Sequence, residues 1–445
     1  MSTDGNVTPN ALAAYWMPFT ANRAFKAAPR MFRAAQGMHY LTPDGRKVID
    51  ATSGLYCVNA GHANPRIVAA IKDAAGKLDY APAFQFGHPE AFELASRLAM
   101  MSPADLDHVF FASSGSEAID TALKIALSYH RRRGEGHRTR FIGRERGYHG
   151  VGFGGISVGG MPANRKVYGA MLGGVDHLPA TYVRDKQAFS KGEPEWGAHL
   201  ADELERILAL HDPSNVAAVI VEPVAGSTGC LPPPKGYLQR LRAITEKYGI
   251  LLIFDEVITA FGRLGAAFAS DRYAVVPDMI AFAKGVTNGA VPMSGVIARA
   301  PIYEAHMDGA EHMPELFHGY TYSGHPLAMA AALATLDVYR DEGLFERAAG
   351  HEQLFADLMM SLRDAPGVLD IRPIGMICGI DLEPSGGGAG ARGYEIMARG
   401  YHDEDIYIRV GGDTLVVAPP LIAGPSDLEA IRDRLARIIA ASARA

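Results

Sequence analysis

Ile250-Leu251-Leu252-Ile253-Phe254-Asp255-Glu256 places five apolar residues directly ahead of two acids. An apolar run this short suits a strand buried on both faces, as in a parallel sheet covered by helices. The acids then fall at the strand's C-terminal end, the edge where open α/β sheets bind ligands. Taken alone, the same pattern also describes a strand running out into a solvated loop. Further apolar runs lie at 217–221, 279–282 and 294–297, and helical patterns separate several of them, notably at 236–248. Toward the N-terminus, His108-Val109-Phe110-Phe111-Ala112 reads as a short buried strand leading into Ser113-Ser114-Gly115-Ser116. Beyond it Ala118, Ile119, Ala122, Leu123, Ile125, Ala126 and Tyr129 recur at helical spacing, and Ser114 with Glu117 matches a capping box. This alternation predicts an α/β domain with a mostly parallel sheet covered on both faces.

The chain ends read differently. His39-Tyr40-Leu41, a Pro43-Asp44-Gly45 turn and residues 47–51 predict a hairpin. Residues 376–382 and 407–417 read as strands, flanked by helices at 343–363 and 426–442, and the Gly-rich stretch 384–390 as an exposed loop. The expected organisation is a large domain over residues 75–325, with residues 1–74 and 326–445 together forming a smaller α+β domain. A length of 445 residues suits more than one core.

Composition narrows the function classes. The 48% hydrophobic and 21% charged content is that of an ordinary globular protein. A net charge of −6 argues against nucleic acid or an anionic membrane as the main partner. Cys57, Cys230 and Cys378 are odd in number and lack CxxC spacing, which argues against a disulfide framework or a metal site. The polar start, residues 1–9, has no signal-peptide pattern, and no run approaches a membrane span, so the expected location is cytoplasmic.

A second predicted strand, 279–282, leads into Ala283-Lys284-Gly285. A lone lysine is usually a surface charge. Together, however, Asp255 and Lys284 sit on successive strand ends and can serve opposite sides of one ligand. Pyridoxal 5′-phosphate (PLP) calls for this pair: a carboxylate that keeps the pyridine nitrogen protonated and a desolvated lysine that forms a Schiff base. Ser114-Gly115-Ser116, between a strand and a helix start, offers free N–H groups and hydroxyls for a phosphate, although a plain N-cap would look the same. Tyr148, in Tyr148-His149-Gly150, is an aromatic that can stack on a ring or serve as an ordinary turn or core tyrosine.

Ser114-Gly115-Ser116-Glu117-Ala118, Gly147-Tyr148-His149-Gly150, Val221-Glu222-Pro223, Ile253-Phe254-Asp255-Glu256-Val257 and Ala283-Lys284-Gly285 resemble the motif set of class III aminotransferases, which are fold-type-I PLP enzymes. The likeness runs from about Tyr15 to Ile439. Residues 16–23, 53–55, 83–89, 231–237 and 411–415 are most similar to the β-alanine (ω-amino acid):pyruvate branch. The resemblance implies that Lys284 is the Schiff-base lysine and Asp255 the pyridinium partner. It places Ser114, Gly115 and Ser116 on the phosphate, Tyr148 and Val257 on the two ring faces, and His149 and Glu222 in the cofactor site. Thr321 would reach the phosphate of a partner subunit, Arg409 would be a mobile arginine that binds the substrate carboxylate, and Phe19 and Tyr56 would line the substrate pocket. Three positions depart from relatives. Ser227 stands where several α-ketoglutarate-using members have glutamate, Tyr56 where the pyruvate branch usually has tryptophan, and Val416 where some members have glutamine.

The implied activity is transfer of an amino group from an ω-amino acid or primary amine to pyruvate by a homodimer, or a dimer of dimers, with shared sites. An α-ketoglutarate-using aminotransferase, an aminomutase and a decarboxylating transaminase share the cofactor motifs and stay open. A Rossmann dehydrogenase is disfavoured: Gly150-Val151-Gly152-Phe153-Gly154-Gly155 has no strand running directly into it and no helical pattern after it. A purely binding role would leave the Asp255 and Lys284 pairing unexplained.

Overall fold

The computed structural model describes residues 12–442. Among these, the strands in chain order are β1 (Ala34–Gln36), β2 (His39–Leu41), β3 (Lys47–Asp50), β4 (Leu106–Ala112), β5 (Arg140–Arg144), β6 (Val175–Leu178), β7 (Val216–Val221), β8 (Leu251–Asp255), β9 (Met279–Phe282), β10 (Ser294–Arg299), β11 (Val368–Ile374), β12 (Ile377–Leu382), β13 (Ile406–Tyr407), β14 (Arg409–Gly411) and β15 (Thr414–Val417). The largest sheet runs β4-β10-β9-β8-β7-β5-β6. Pairings from β6 through β9 are parallel, and β10 is antiparallel to both β9 and β4.

Alternation along β7 and β8 explains why helices cover both faces. Ile220, Leu251 and Ile253 pack with Ala118, Ile119 and Ala122 of the helix Gly115–Arg132. Val219, Val221, Leu252 and Phe254 pack with Leu238 and Leu241 of the helix Tyr237–Lys247. Successive side chains of a strand point to opposite faces, so a strand covered twice is apolar throughout. The α/β architecture expected from the sequence is the one observed.

Two smaller sheets lie beside this core. In the sheet β1-β2-β3-β13, the antiparallel hairpin β2–β3 is joined by β13 from the other end of the chain, parallel to β3. In the sheet β11-β12-β15-β14 all pairings are antiparallel, with Arg409 opposite Val416.

Several elements differ from the sequence reading. β4 is only partly buried, because it is an edge strand with β10 as its neighbour. A short helix, Phe153–Val158, begins inside the glycine-rich stretch; its apolar-and-glycine composition carries no helical periodicity. The capping at Gly115–Arg132 is offset: Glu117 N–H donates to Ser114 Oγ at 3.3 Å, while Glu117 Oε2 accepts from Ser113 N–H at 2.7 Å. The stretch at 384–390 is an exposed loop, as expected. No helix among the described residues is long and apolar enough to cross a membrane.

Candidate active site

The C-terminal ends of β4, β7, β8 and β9 share one edge of the large sheet, and each continues into a residue of the cleft. β8 ends on Asp255, β9 is followed by Lys284, β7 by Glu222, and β4 leads to the helix that begins at Gly115. The loop after β5 brings in Tyr148, His149 and Gly150. Gly115, Ser116, Ile119, Tyr148, His149, Gly150, Glu222, Asp255, Val257, Ile258 and Lys284 line a single cavity.

At one end of the cavity lies the start of the 18-residue helix Gly115–Arg132. The backbone N–H groups of Gly115 and Ser116 have no hydrogen-bond partner among the described residues. Free N–H groups at a helix start attract an anion. Ser116 Oγ accepts from Val151 N–H at 3.0 Å, which leaves its proton available to donate. Gly150 has a positive φ of 84°, and a Cβ there would lie 2.7 Å from Ser116 Cα, so only glycine lets this loop meet the helix start.

At the other end, Asp255 Oδ2 lies 2.8 Å from His149 Nδ1, and Asp255 Oδ1 accepts from Val257 N–H at 3.1 Å. With Asp255 ionised, Nδ1 carries the proton and donates it. His149 Nε2 is buried without a partner. Glu222 spends both oxygens on backbone: Oε1 accepts from Tyr148 N–H at 2.8 Å and Oε2 from Gly226 N–H at 3.0 Å. Burial pushes the Glu222 carboxyl up to about 7, opposed by His149 and reinforced by Asp255. Glu222 therefore fixes the loop that carries Tyr148.

Lys284 is partly buried and has a positive φ of 52°, a conformation uncommon for lysine. Burial lowers its pKa; Cys57 and Asp255 oppose this, and Arg409 reinforces it. Gly285 follows because a Cβ there would meet Asn59 Nδ2 at 2.9 Å. The cavity thus combines an anion seat, a partly buried amine, a carboxylate, and two flanking side chains, Tyr148 and Val257. These features fit PLP, the group expected from the sequence.

The remaining expected residues sit elsewhere. Arg409, half-buried on β14, donates from Nη1 to Tyr56 Oη at 3.0 Å and to the Ser227 carbonyl at 3.4 Å. Its guanidinium stands 5.5 Å from the Tyr56 ring centroid. Thr321 and Phe19 are apart from the cavity in the single chain; Thr321 is exposed, its carbonyl accepting from Tyr80 Oη at 3.1 Å, and Phe19 is 81% exposed. Sequence reasoning did not single out Thr52, whose Oγ1 accepts from Arg409 N–H and donates to the Val416 carbonyl, both at 3.2 Å. A threonine 357 residues from Arg409 in sequence carries no local signal of that role.

The family model of class III aminotransferases matches residues 20–439. The chain is 59% identical over 430 residues to an omega-aminotransferase of Caulobacter vibrioides, covering 97% of this chain and 98% of that protein. It is 47% identical over 425 residues to a β-alanine–pyruvate aminotransferase of Pseudomonas aeruginosa, covering 95% and 94% respectively. The omega transaminase of Pseudomonas jessenii, solved in complex with PMP, superposes with a TM-score of 0.92 at 30% identity, covering 99% of each chain.

Proposed function

The chain belongs to the class III aminotransferases, and on that footing we propose that it moves an amino group from an ω-amino acid such as β-alanine, or from a primary amine, to pyruvate. The products are an aldehyde or ketone and alanine. The observation that carries this reading is Arg409, a cation whose guanidinium donates to two neutral acceptors, Tyr56 Oη and the Ser227 carbonyl. A half-buried cation held without a carboxylate is available to a substrate carboxylate. An α-ketoglutarate preference draws no support from position 227, where this chain has serine.

Bound PLP would supply an electrophilic aldehyde and a ring that accepts electrons from the substrate. The chain's own residues divide the remaining work. Lys284 Nζ would hold the cofactor's aldehyde carbon and would carry a proton to and from the substrate carbon. Its lowered pKa favours the neutral amine that can accept this proton. Asp255 would keep a proton on the ring nitrogen, and His149 holds Asp255 in place. The N–H groups of Gly115 and Ser116, with the hydroxyls of Ser114 and Ser116, would hold the phosphate. Tyr148 and Val257 flank the ring, Glu222 secures Tyr148, and Arg409 orients the carboxylate within a pocket that Tyr56 and Phe19 help to line.

The working unit is a homodimer in which Thr321 reaches the partner's phosphate. In support, Phe84, Phe86, Phe92, Phe317 and Tyr322 are exposed apolar side chains, and Phe84 packs on Gly319 close to Thr321. An interface in the class above roughly 2,000 Å² is expected, read by sedimentation at dilute concentration. Half-reaction spectra test the activity. β-Alanine should convert the cofactor absorbance to that of its amine form, and pyruvate should restore it with one alanine released. An aminomutase would not release that alanine, and a decarboxylating transaminase would release carbon dioxide as the amine-form cofactor appears; either result would contradict the proposal.

A further inference from the structure

We propose that the Tyr56 hydroxyl latches Arg409 into its carboxylate-binding position and so sets how strongly this enzyme favours carboxylate-bearing substrates. The inference rests on the function proposed above. Tyr56 is 2% exposed, and its hydroxyl is the nearer of the two acceptors of the Arg409 guanidinium, at 3.0 Å against 3.4 Å for the Ser227 carbonyl. No carboxylate pairs with Arg409 among the described residues. The opposing residue, Val416, has an apolar side chain and offers no third acceptor.

The latch is built on strained backbone. Tyr56 has a φ of 65° and Ser53 a φ of 48°, both in the left-handed region that side chains rarely adopt. Neighbouring groups hold them there. Asp50 accepts from Thr52 N–H at 2.9 Å and Gly54 N–H at 2.7 Å, and its Oδ2 lies 2.7 Å from His62 Nε2. Ser53 Oγ donates to the Ala418 carbonyl at 2.7 Å and accepts from the buried Arg263 at 2.9 Å. Thr52 Oγ1, which accepts from Arg409 N–H, ties the Tyr56 segment to the strand carrying Arg409. With both backbones fixed to each other, the guanidinium is the part left to turn. Its inward position is held by the phenol, whose ring also faces the cation. An indole, the side chain expected at this position from the family pattern, is a donor only and could not accept from the guanidinium.

Tyr56→Phe removes the acceptor and keeps the ring. In the cofactor-loaded enzyme, KM for β-alanine and pyruvate should rise roughly tenfold, the size expected for one lost hydrogen bond to a charged group. The half-reaction with 1-phenylethylamine, which has no carboxylate, should weaken several-fold less than that with β-alanine. In an Arg409→Ala background, Tyr56→Phe should add less than about a twofold effect on β-alanine. Equal losses on both donors, a tenfold effect persisting without Arg409, or loss of cofactor absorbance in Tyr56→Phe would each overturn the latch. Competition by propionate against whichever amine the wild-type enzyme deaminates reads the latch without β-alanine or pyruvate. Its inhibition constant should rise roughly tenfold in Tyr56→Phe, and an unchanged constant overturns the inference. A wild-type enzyme inert toward both β-alanine and pyruvate would instead overturn the function proposed above.

Discussion

Asp255 and Glu222 have both their carboxylate oxygens tied to fixed partners, whereas Arg409 is held by a hydroxyl and a carbonyl that carry no charge. Asp255 is bound by His149 and by Val257 N–H, and Glu222 by two backbone N–H groups. Across the cleft, Arg409 keeps its charge without a carboxylate among the described residues. A buried ion with fixed partners holds one geometry, which suits chemistry repeated identically on every substrate. A half-buried cation with neutral partners can turn toward or away from the cleft at lower cost, which suits substrates that differ in whether they carry a carboxylate. The cofactor side is accordingly the place where substitutions should damage every reaction, and the Arg409 side the place where they should sort substrates.

The largest expected effect sharpens the first half of this contrast. Lys284→Ala should lower turnover roughly a thousandfold or more with every donor, since the proton carrier is gone, while cofactor is still retained non-covalently. Single-turnover spectra with β-alanine and 1-phenylethylamine check it, and a donor that survives the change would break the contrast. Asp255→Asn should follow, with a loss on the order of a hundredfold in the deprotonation step for both donors and a modest loss of cofactor affinity. A normal rate would mean that the ring nitrogen's charge is not needed.

Arg409→Ala probes the other side. KM for pyruvate and β-alanine should rise roughly 10- to 100-fold, and the first half-reaction with 1-phenylethylamine should fall much less. Equal losses on both donors would make Arg409 structural and erase the distinction between the two regions.

The smallest effect concerns the cost of burying Glu222. Its pKa is raised from 4.5 to about 7, so the native state holds this proton more tightly than the unfolded chain. The associated stability is fully present below about 4.5 and is lost as pH rises through about 7. In the cofactor-free protein, Glu222→Gln should therefore show a smaller fall in Tm between pH 5 and pH 8 than the wild type does. An unchanged fall would place the Glu222 pKa near its ordinary value.

The strands that carry the cofactor side were legible in their apolar pattern, whereas Arg409, Tyr56 and Ser227 entered the sequence reading only through the family resemblance. β7, β8 and β9 are apolar runs buried on both faces, and their ends deliver Glu222, Asp255 and Lys284. A parallel sheet gathers its C-terminal ends at one edge, so order along the chain already implies proximity. β5 and β6 escaped because Arg140, Arg144, Asp176 and His177 interrupt short apolar stretches. β11 contains Pro373, which argues against a strand in a sequence reading. The antiparallel direction of β10 leaves no mark on composition, since a covered strand is apolar in either direction. Positive φ at Ser53 and Tyr56 has no residue-type cue, and the contact between Tyr56 and Arg409 spans 353 residues. Tertiary packing created that contact, and local sequence patterns do not report it.

Borohydride reduction followed by peptide mapping tests the central claim most directly. The purified protein should be yellow, and reduction should bleach it while fixing the cofactor to a single peptide, on the side chain of Lys284. A reduced adduct on any other lysine, or a protein that takes up no pyridoxal phosphate, would contradict the account.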